Sequence, residues 1–439
     1  MKRNFIFRGL KAVFFVAGLL WVLHPAPASS SGFYTPDIGA KTVGRGAAWI
    51  AGVDDLTALY LNPAGLSQVK GTNLTVINNF MTLRTRYKRS PIEPAVHNKN
   101  PMDVIQFFGI SSDFGLRRLT FGIGLYGPYG VAESYNEKGP QRYESTDIQR
   151  VQVYYVAGVG WAPLRWLRVG VTGGVGEFQE KDTYAFSPFG DGDPRYDILA
   201  KVNIHQIGNM AFGFGIKLGP FAGFEIGASY EPETDLRLEG DVEARLPDLY
   251  AAIVGFKVYT DTIVVTCTLP QTARLGVRQQ ITERLDLEAD VVWTGWSVLE
   301  AQKVDLKKEE LMEDMEIPIR WRDTWSFRLG GEYVLYRSLA VRAGGWYDQA
   351  ATRPVTLRPG AVEMDRWAAC AGVGYTWKGI TLDFGYTHIW YEEEEVTGDD
   401  LIEQEMGDAR GKYWASSDLF VVGMNLNFNA IVKAFKKEK

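Results

Sequence analysis

The sequence predicts an all-β protein, a 14-stranded antiparallel transmembrane β-barrel with an N-terminal hatch, or plug, inside the lumen. Three observations predict it. Long stretches alternate apolar and polar residues with period two, connections alternate between short and long, and Gly39–Leu66 is too rich in Gly and Ala to build a core of its own.

The chain opens with a secretory leader. Lys2, Arg3, Arg8 and Lys11 precede an apolar run from Ala12 to Leu23, and Ala26-Pro27-Ala28 supplies a small-x-small cleavage pattern. The expectation is a signal peptide over 1–28 and a mature start near Ser29. The alternative is an uncleaved anchor, but the apolar run is short of the roughly 20 residues that a spanning helix needs. Leader removal strips four basic residues and takes the formal net charge from −6 to −10, which argues against a nucleic-acid partner. Cys267 and Cys370 are too few for a disulfide scaffold and fall in predicted strands as unpaired fillers. Aromatic residues make up 13 % of the chain, yet no later segment is apolar enough to span a bilayer as a helix. An exported chain of this kind points to a β-barrel.

Strand signals are direct. Leu285, Leu287, Ala289, Val291 and Trp293 share one face while Asp286, Glu288 and Asp290 occupy the other. Val151–Trp161, Met210–Leu218 and Phe420–Phe428 alternate in the same way. A soluble sandwich would also alternate, so connection length decides. Short turns are predicted near Gly115–Arg118, Pro163–Trp166, Gly219–Gly223, Thr282–Arg284, Tyr336–Ser338 and Lys378–Gly379. Longer loops fall near 88–102, 135–146, 185–197, 248–258, 307–316, 354–364 and 398–411. Short turns on one side and long loops on the other make an even-stranded up-and-down barrel. Trp161, Trp166, Trp293, Trp296, Trp377, Trp390 and Tyr391 lie at predicted strand ends, as an aromatic girdle requires. A barrel of this size leaves a lumen that its own side chains cannot fill. Residues 29–70 are the available plug, 71–428 the barrel, and 429–439 a periplasmic tail after closure at Phe428.

Gly44-Arg45-Gly46-Ala47-Ala48, Asp54-Asp55 and Asn62-Pro63-Ala64-Gly65 resemble the hatch of the outer-membrane long-chain fatty-acid transporter family (FadL/TodX type, OMPP1). The likeness continues through FGIGLYGPYGVAESY (121–135), LPQTARLGVRQQITERLDLEADVVWTGWS (269–297), IRWRDTWSFRLGGEY (319–333), LAVRAGGWYDQAATRPV (339–355) and MDRWAACAGVGY (364–375). The resemblance implies a monomeric bacterial outer-membrane barrel, inserted by the barrel-assembly machinery among lipid and lipopolysaccharide. It implies passive uptake of hydrophobic small molecules, with long-chain fatty acids first and uncharged or aromatic hydrocarbons as the alternative. It also implies a kinked third strand that opens the wall sideways.

Candidate residues follow. Gly127-Pro128 interrupts the predicted third strand, where Pro cannot donate and Gly permits a bulge, unless the pair belongs to the strand's outer end. Asn62, Pro63, Ala64 and Gly65 form a rigid turn that the family places near the opening, either to couple ligand arrival to movement or to anchor the plug. Arg45 is the candidate cation for a ligand carboxylate. Arg150, Arg274, Arg278, Arg328 and Arg342 fall on lumenal positions and are expected to pair with Asp286, Glu288, Asp290 and Glu332. In loop 246–259, Leu249, Ile253 and Phe256 share a helical face with Tyr250 and Val254 alongside, a groove for capture or a lid. Glu392–Glu395 reads as a solvated strand end. No cofactor or metal is implied: His97, His205 and His388 lie in three separate regions without ligand spacing. An enzyme is not expected, although an outer-membrane esterase using His388 and a purely structural barrel remain as other classes.

Overall fold

The computed structural model describes residues 38–99, 102–187, 193–308, 314–360, 362–397 and 410–436. The leader, the first part of the expected plug and the last three residues lie outside them.

Fourteen antiparallel strands form one closed wall. They are β1 (Thr72–Lys88), β2 (Met102–Ser112), β3 (Leu119–Ser134), β4 (Asp147–Trp161), β5 (Leu167–Phe186) and β6 (Ile198–Phe221). Next come β7 (Phe224–Glu231 and Thr234–Arg245), β8 (Val258–Leu269 and Thr272–Gln280), β9 (Leu285–Thr294 and Ala301–Leu306) and β10 (Met315–Pro318 and Thr324–Tyr336). The last four are β11 (Leu339–Asp348), β12 (Arg366–Trp377), β13 (Ile380–Tyr391) and β14 (Gly411–Asn427). β14 closes the wall on β1 over an unbroken ladder from Asn73↔Asn427 to Lys88↔Lys412. Among the described residues no helix is long and apolar enough to cross a membrane.

Each strand turns its faces as the alternation requires. Phe214, Ile216, Leu275, Phe327, Leu329, Phe384 and Phe420 are exposed on the outside, where lipid covers them. Lys217, Arg274, Asp286, Glu288, Asp290, Arg328 and Arg342 are buried on the inside. Where β5 and β6 leave the apolar band, Glu177 accepts from Tyr155 (2.7 Å) and contacts His205 (2.8 Å) on the outer face. This polar knot marks the upper edge of the membrane. Trp161, Trp166, Trp377 and Trp390 are about half exposed, as girdle residues are. Trp296 is not one of them: it is fully buried in the lumen, because the chain turns inward through a 3₁₀ turn at Trp296–Val298.

Four strands that the alternation leaves whole are broken in mid-course, and three breaks carry a proline. Pro232 parts β7, Pro270 parts β8, and Pro318 ends the first piece of β10. A residue without an N–H cannot continue the ladder on both sides. β14 stops at Asn427 rather than Phe428, and Phe428–Lys436 forms a helix with Phe428, Val432 and Phe435 exposed.

Residues 38–70 lie inside the barrel. α1 (Ala40–Gly44), α2 (Ala58–Leu61) and a 3₁₀ turn at Pro63–Gln68 are almost wholly buried. The wall makes room with inward glycines. A Cβ on Gly330 would stand 1.7 Å from the Arg45 carbonyl oxygen, and one on Gly215 2.1 Å from Asn62 Oδ1. Gly170, Gly227, Gly276, Gly372 and Gly385 meet the segment's backbone on five further strands. At the rim, the Asp113 carboxylate accepts from Gly71 N–H (2.8 Å) and Gly115 N–H (2.9 Å). The Gly71 bond first, then that of Gly115, holds this partly exposed carboxyl below its ordinary range.

Gly330→Leu is expected to leave the barrel assembled, seen as an unchanged heat-dependent shift in gel mobility. It should expel the inner segment, seen as new sensitivity of the cells to a large hydrophilic antibiotic.

Candidate functional site: lumen and inner segment

Three inward carboxylates of β9, two residues apart, grip the inner segment. Asp290 Oδ2 accepts from the backbone N–H groups of Trp49 (2.8 Å) and Ile50 (3.1 Å). Glu288 accepts from those of Ala51 (2.6 Å) and Gly52 (3.0 Å). Arg45 Nη2 donates to Asp286 and stands 3.6 Å from Glu288. Its guanidinium also lies over the Trp49 ring, 4.4 Å from the centroid. Arg45, proposed for a ligand carboxylate, is thus held by the protein's own carboxylates and has no exposed surface. Two and three strands along the wall, Ser229 Oγ of β7 donates to the Leu61 carbonyl (2.7 Å) and Lys217 Nζ of β6 to that of Val53 (2.8 Å).

The Asn62–Gly65 turn is pinned to the wall. Asn62 Oδ1 caps Ala64 N–H (3.2 Å), while Nδ2 donates to the carbonyls of Ile50 (3.0 Å) and Ile216 (3.3 Å). Pro63 and Ala64 sit against Gly170 of β5 and Gly215 of β6. The segment reaches β3 on either side of the turn, through Leu59 against Gly122 and Gly124, Tyr60, whose ring lies 5.0 Å from that of Tyr126, Leu66 against Gly122, and the Val69 carbonyl, which accepts from Thr120 Oγ1 (3.2 Å).

β3 carries a bulge. Its register against β4 shifts between Tyr126 and Tyr129, at Gly127-Pro128, and the strand then continues to Ser134. On its other side β3 pairs with β2 only from Phe108↔Leu125 to Ser112↔Phe121, with one bridge further out at Lys99↔Ser134. Met102–Phe107 of β2 therefore pair with β1 alone. Tyr129, just past the bulge, meets Trp296 edge-on (6.3 Å), and Trp296 meets Trp321 edge-on (5.0 Å). These aromatics join the bulge of β3 to the far wall across the lumen.

Trp321 also lines a cavity of about 230 Å³ above the inner segment. Its walls are Phe178, Val202, Leu236, Leu238, Ile263, Val265, Val304 and Ile317, with Tyr143, Glu144 and Arg358 among the loops over it. Burial, then the hydrogen bond to Asp197 (2.9 Å), raises the Tyr143 phenol, so it stays neutral at physiological pH. Among the lining cations, Arg150 pairs with Glu180 (2.8 Å) and Asp182 (2.9 Å), and Arg358 stands 3.9 Å from Glu144. The side toward the short turns differs. There a 320 Å³ space is lined by Lys41, Asp54, Glu332, Arg342 and Asp383, with Arg342 bound to Glu332 and Asp383 (2.6 Å each).

The other lumenal arginines have protein partners too: Arg274 meets Glu231 (3.0 Å), Arg278 meets Asp286 (3.2 Å), and Arg328 donates to Ser326 (3.1 Å). In the loops, α3 (Asp248–Val254) leaves Leu249 and Ile253 exposed, Phe256 is exposed beyond its Gly255 cap, and Tyr250 packs with Leu246 and Tyr259. Leu249 borders a 580 Å³ groove rimmed by Arg195, Arg245 and Lys257. His388 lies on the outer wall, where its Nδ1 contacts Asp418 (2.7 Å), a carboxylate that also accepts from Tyr386 and Arg84. Glu395 of the acidic run pairs with Lys412 (2.9 Å) at the surface.

The cavity walls and the aromatic bridge were missed from sequence. A signal existed at Leu236, Leu238 and Val242, which alternate with Asp235, Arg237, Glu239 and Asp241. This is an apolar-in pattern, opposite to that of the membrane band. Replacing Glu288 and Asp290 together by Ala should cost about 3–5 kcal/mol through the unpaired N–H groups and Arg45. Limited proteolysis is expected to cut within 38–70 in that variant while the barrel stays intact.

Comparison with known proteins agrees with this geometry. Residues 22–428 match the family model described as outer membrane protein transport protein (OMPP1/FadL/TodX). A putative outer membrane protein of Neisseria meningitidis, NMB0088, is 21 % identical over 95 % of this chain and 98 % of its own. Outer membrane protein P1 of Haemophilus influenzae is 26 % identical over 50 % of this chain and 48 % of its own. The crystal structure of a Pseudomonas aeruginosa FadL homologue superposes with a TM-score of 0.77 at 18 % identity, covering 91 % of this chain and all of that one. The Pseudomonas putida toluene transporter TodX gives 0.71 at 16 % identity, over 90 % and 99 %. The family and the solved structural neighbours are transport proteins, not enzymes. The chain is a bacterial outer-membrane β-barrel and belongs to the OMPP1/FadL/TodX family of outer-membrane transport proteins.

Proposed function

We propose that this member of the family takes up small uncharged hydrophobic compounds, aromatic hydrocarbons among them, down their gradient. The observation that carries the reading is the lumenal cavity, apolar along its walls and with each arginine already matched by carboxylates. An anionic head group entering there would displace an internal ion pair or be buried beside an excess of carboxylates. Size agrees. An apolar cavity of about 150 Å³ accepts benzene, whereas a long acyl chain overfills 230 Å³. The sequence alone ranked long-chain fatty acids first; the lining favours uncharged compounds.

The route follows from the parts. The exposed face of α3 and the groove beside Leu249 collect apolar molecules outside. The cavity holds them, and the Tyr129–Trp296–Trp321 bridge separates it from the unpaired stretch between β2 and β3. Release there, beside the Gly127-Pro128 bulge, delivers the molecule sideways into lipid. Residues 38–70 act as the hatch that denies it the straight path to the periplasm, and the Asn62–Gly65 turn anchors that hatch to β5 and β6.

Two experiments test this. In an outer-membrane transporter-deficient host, expression should speed uptake of radiolabelled naphthalene, and excess palmitate should leave that rate unchanged. Competition by palmitate would restore the fatty-acid reading. Gly127-Pro128→Ala-Val should keep the barrel assembled and abolish naphthalene uptake; normal uptake would sink sideways release.

A further inference from the structure

A second parting of the wall lies away from β3. β6 pairs with β7 from Leu199↔Arg245 to Ile204↔Gly240, and again from Phe214↔Tyr230 to Leu218↔Ile226. The register is the same in both blocks, so the strands separate without slipping and then rejoin. Between the blocks, 205–213 of β6 and 231–239 of β7 share no ladder pair. One bond, from Thr234 Oγ1 to the Met210 carbonyl (3.3 Å), crosses the lower end.

The cause is the chemistry that kinks β3. Gly208 has φ +135 and is the extra residue where β6 slips against β5 between Gly176 and Glu177. Pro232 breaks β7 lower down, level with Phe212 of β6. Each strand switches faces there: the exposed residues run His205, Ile207 before Gly208 and Met210, Phe212 after it.

The slit joins the apolar cavity to an outer border whose β6 lip is apolar and whose β7 lip carries the exposed Asp235, Arg237 and Glu239. Leu236 and Leu238, within the unpaired stretch of β7, turn inward and line the cavity. Ile207, Met210 and Phe212 border it outside, each about half exposed. The Glu177–Tyr155–His205 knot beside them puts this border at the membrane's upper edge. At the inner lip Asn209 is 8 % exposed and its amide nitrogen has no hydrogen-bond partner among the described residues. The lip therefore holds unspent polar capacity.

We propose that this slit is a lateral inlet, through which uncharged apolar molecules gathered at the outer-leaflet surface pass between β6 and β7 into the cavity. It rests on the transport reading above and adds a side path to the loop groove.

The test closes the slit in the full-length protein, in cells, with both native cysteines replaced by Ala. Ile207→Cys with Arg237→Cys forms a reversible staple across it, and Lys201→Cys with Glu243→Cys staples the ladder above it as a control. Disulfide formation is read by maleimide-polymer gel shift. Asn209→Trp, which fills the inner lip, is a second closure that needs no disulfide. Slit closure should remove most of the initial rate of naphthalene uptake, with recovery of the stapled variant on reduction and no loss in the control. Unchanged uptake with the slit stapled or filled overturns the inlet. A parent protein that takes up no naphthalene before any closure overturns the transport reading itself, and the inlet with it.

Discussion

The grip of Asp286, Glu288 and Asp290 on residues 45–52 is the interaction on which the rest depends. A barrel of fourteen strands cannot fill its lumen with its own side chains. The inner segment that fills it has one-turn helices and no core of its own. Its backbone N–H groups would be stranded in that interior without acceptors. Glu288 and Asp290, two residues apart on one strand, supply them, while Asp286 on the same face holds Arg45, which balances part of the charge. Hydrogen bonds to charged groups are worth about 1.5–3 kcal/mol each. The inward glycines set the distance at which this grip works.

Once the segment is seated it divides the lumen by chemistry. Toward the short turns the space is lined by paired charges, and on the loop side it is apolar. A hydrophobic molecule entering from the loops therefore finds a favourable site and an unfavourable way straight on. The wall has weak places only where Gly and Pro interrupt a strand. At Gly127-Pro128 the register of β3 against β4 shifts while the β2–β3 ladder parts, and at Gly208 with Pro232 the β6–β7 ladder parts and rejoins in register. The proposed sideways route would need no moving plug and no energy source.

Much of the fold was legible because it rests on short-range rules. Period-two alternation placed Leu285–Trp293 and Val151–Trp161 on the correct faces, and turn chemistry placed the six tight turns. The lumenal pairing of Arg342 with Glu332 follows from the same alternation. The site was less legible because it depends on residues brought together across the barrel. Trp296 read as a girdle aromatic, since nothing local says that its strand breaks and turns inward. Tyr129, Trp296 and Trp321 come from three strands and meet only when the wall closes. Pro232, Pro270 and Pro318 were visible signs of broken strands. The reversed alternation after Pro232 marked where the wall stops facing lipid and starts lining the cavity. Asn62–Gly65 was recognisable as a turn, but its seat on β5 and β6 depends on Gly170 and Gly215, more than a hundred residues away in sequence.

The central claim is that the apolar cavity above the inner segment is where the transported compound rests. Crystals of the full barrel grown with 2-bromonaphthalene test it most directly through the bromine's anomalous signal. The account predicts a peak inside the wall, between Phe178 and Leu238 and above Trp321. Bromine found only along the lipid-facing surface or among the outer loops, with the cavity empty, would contradict it.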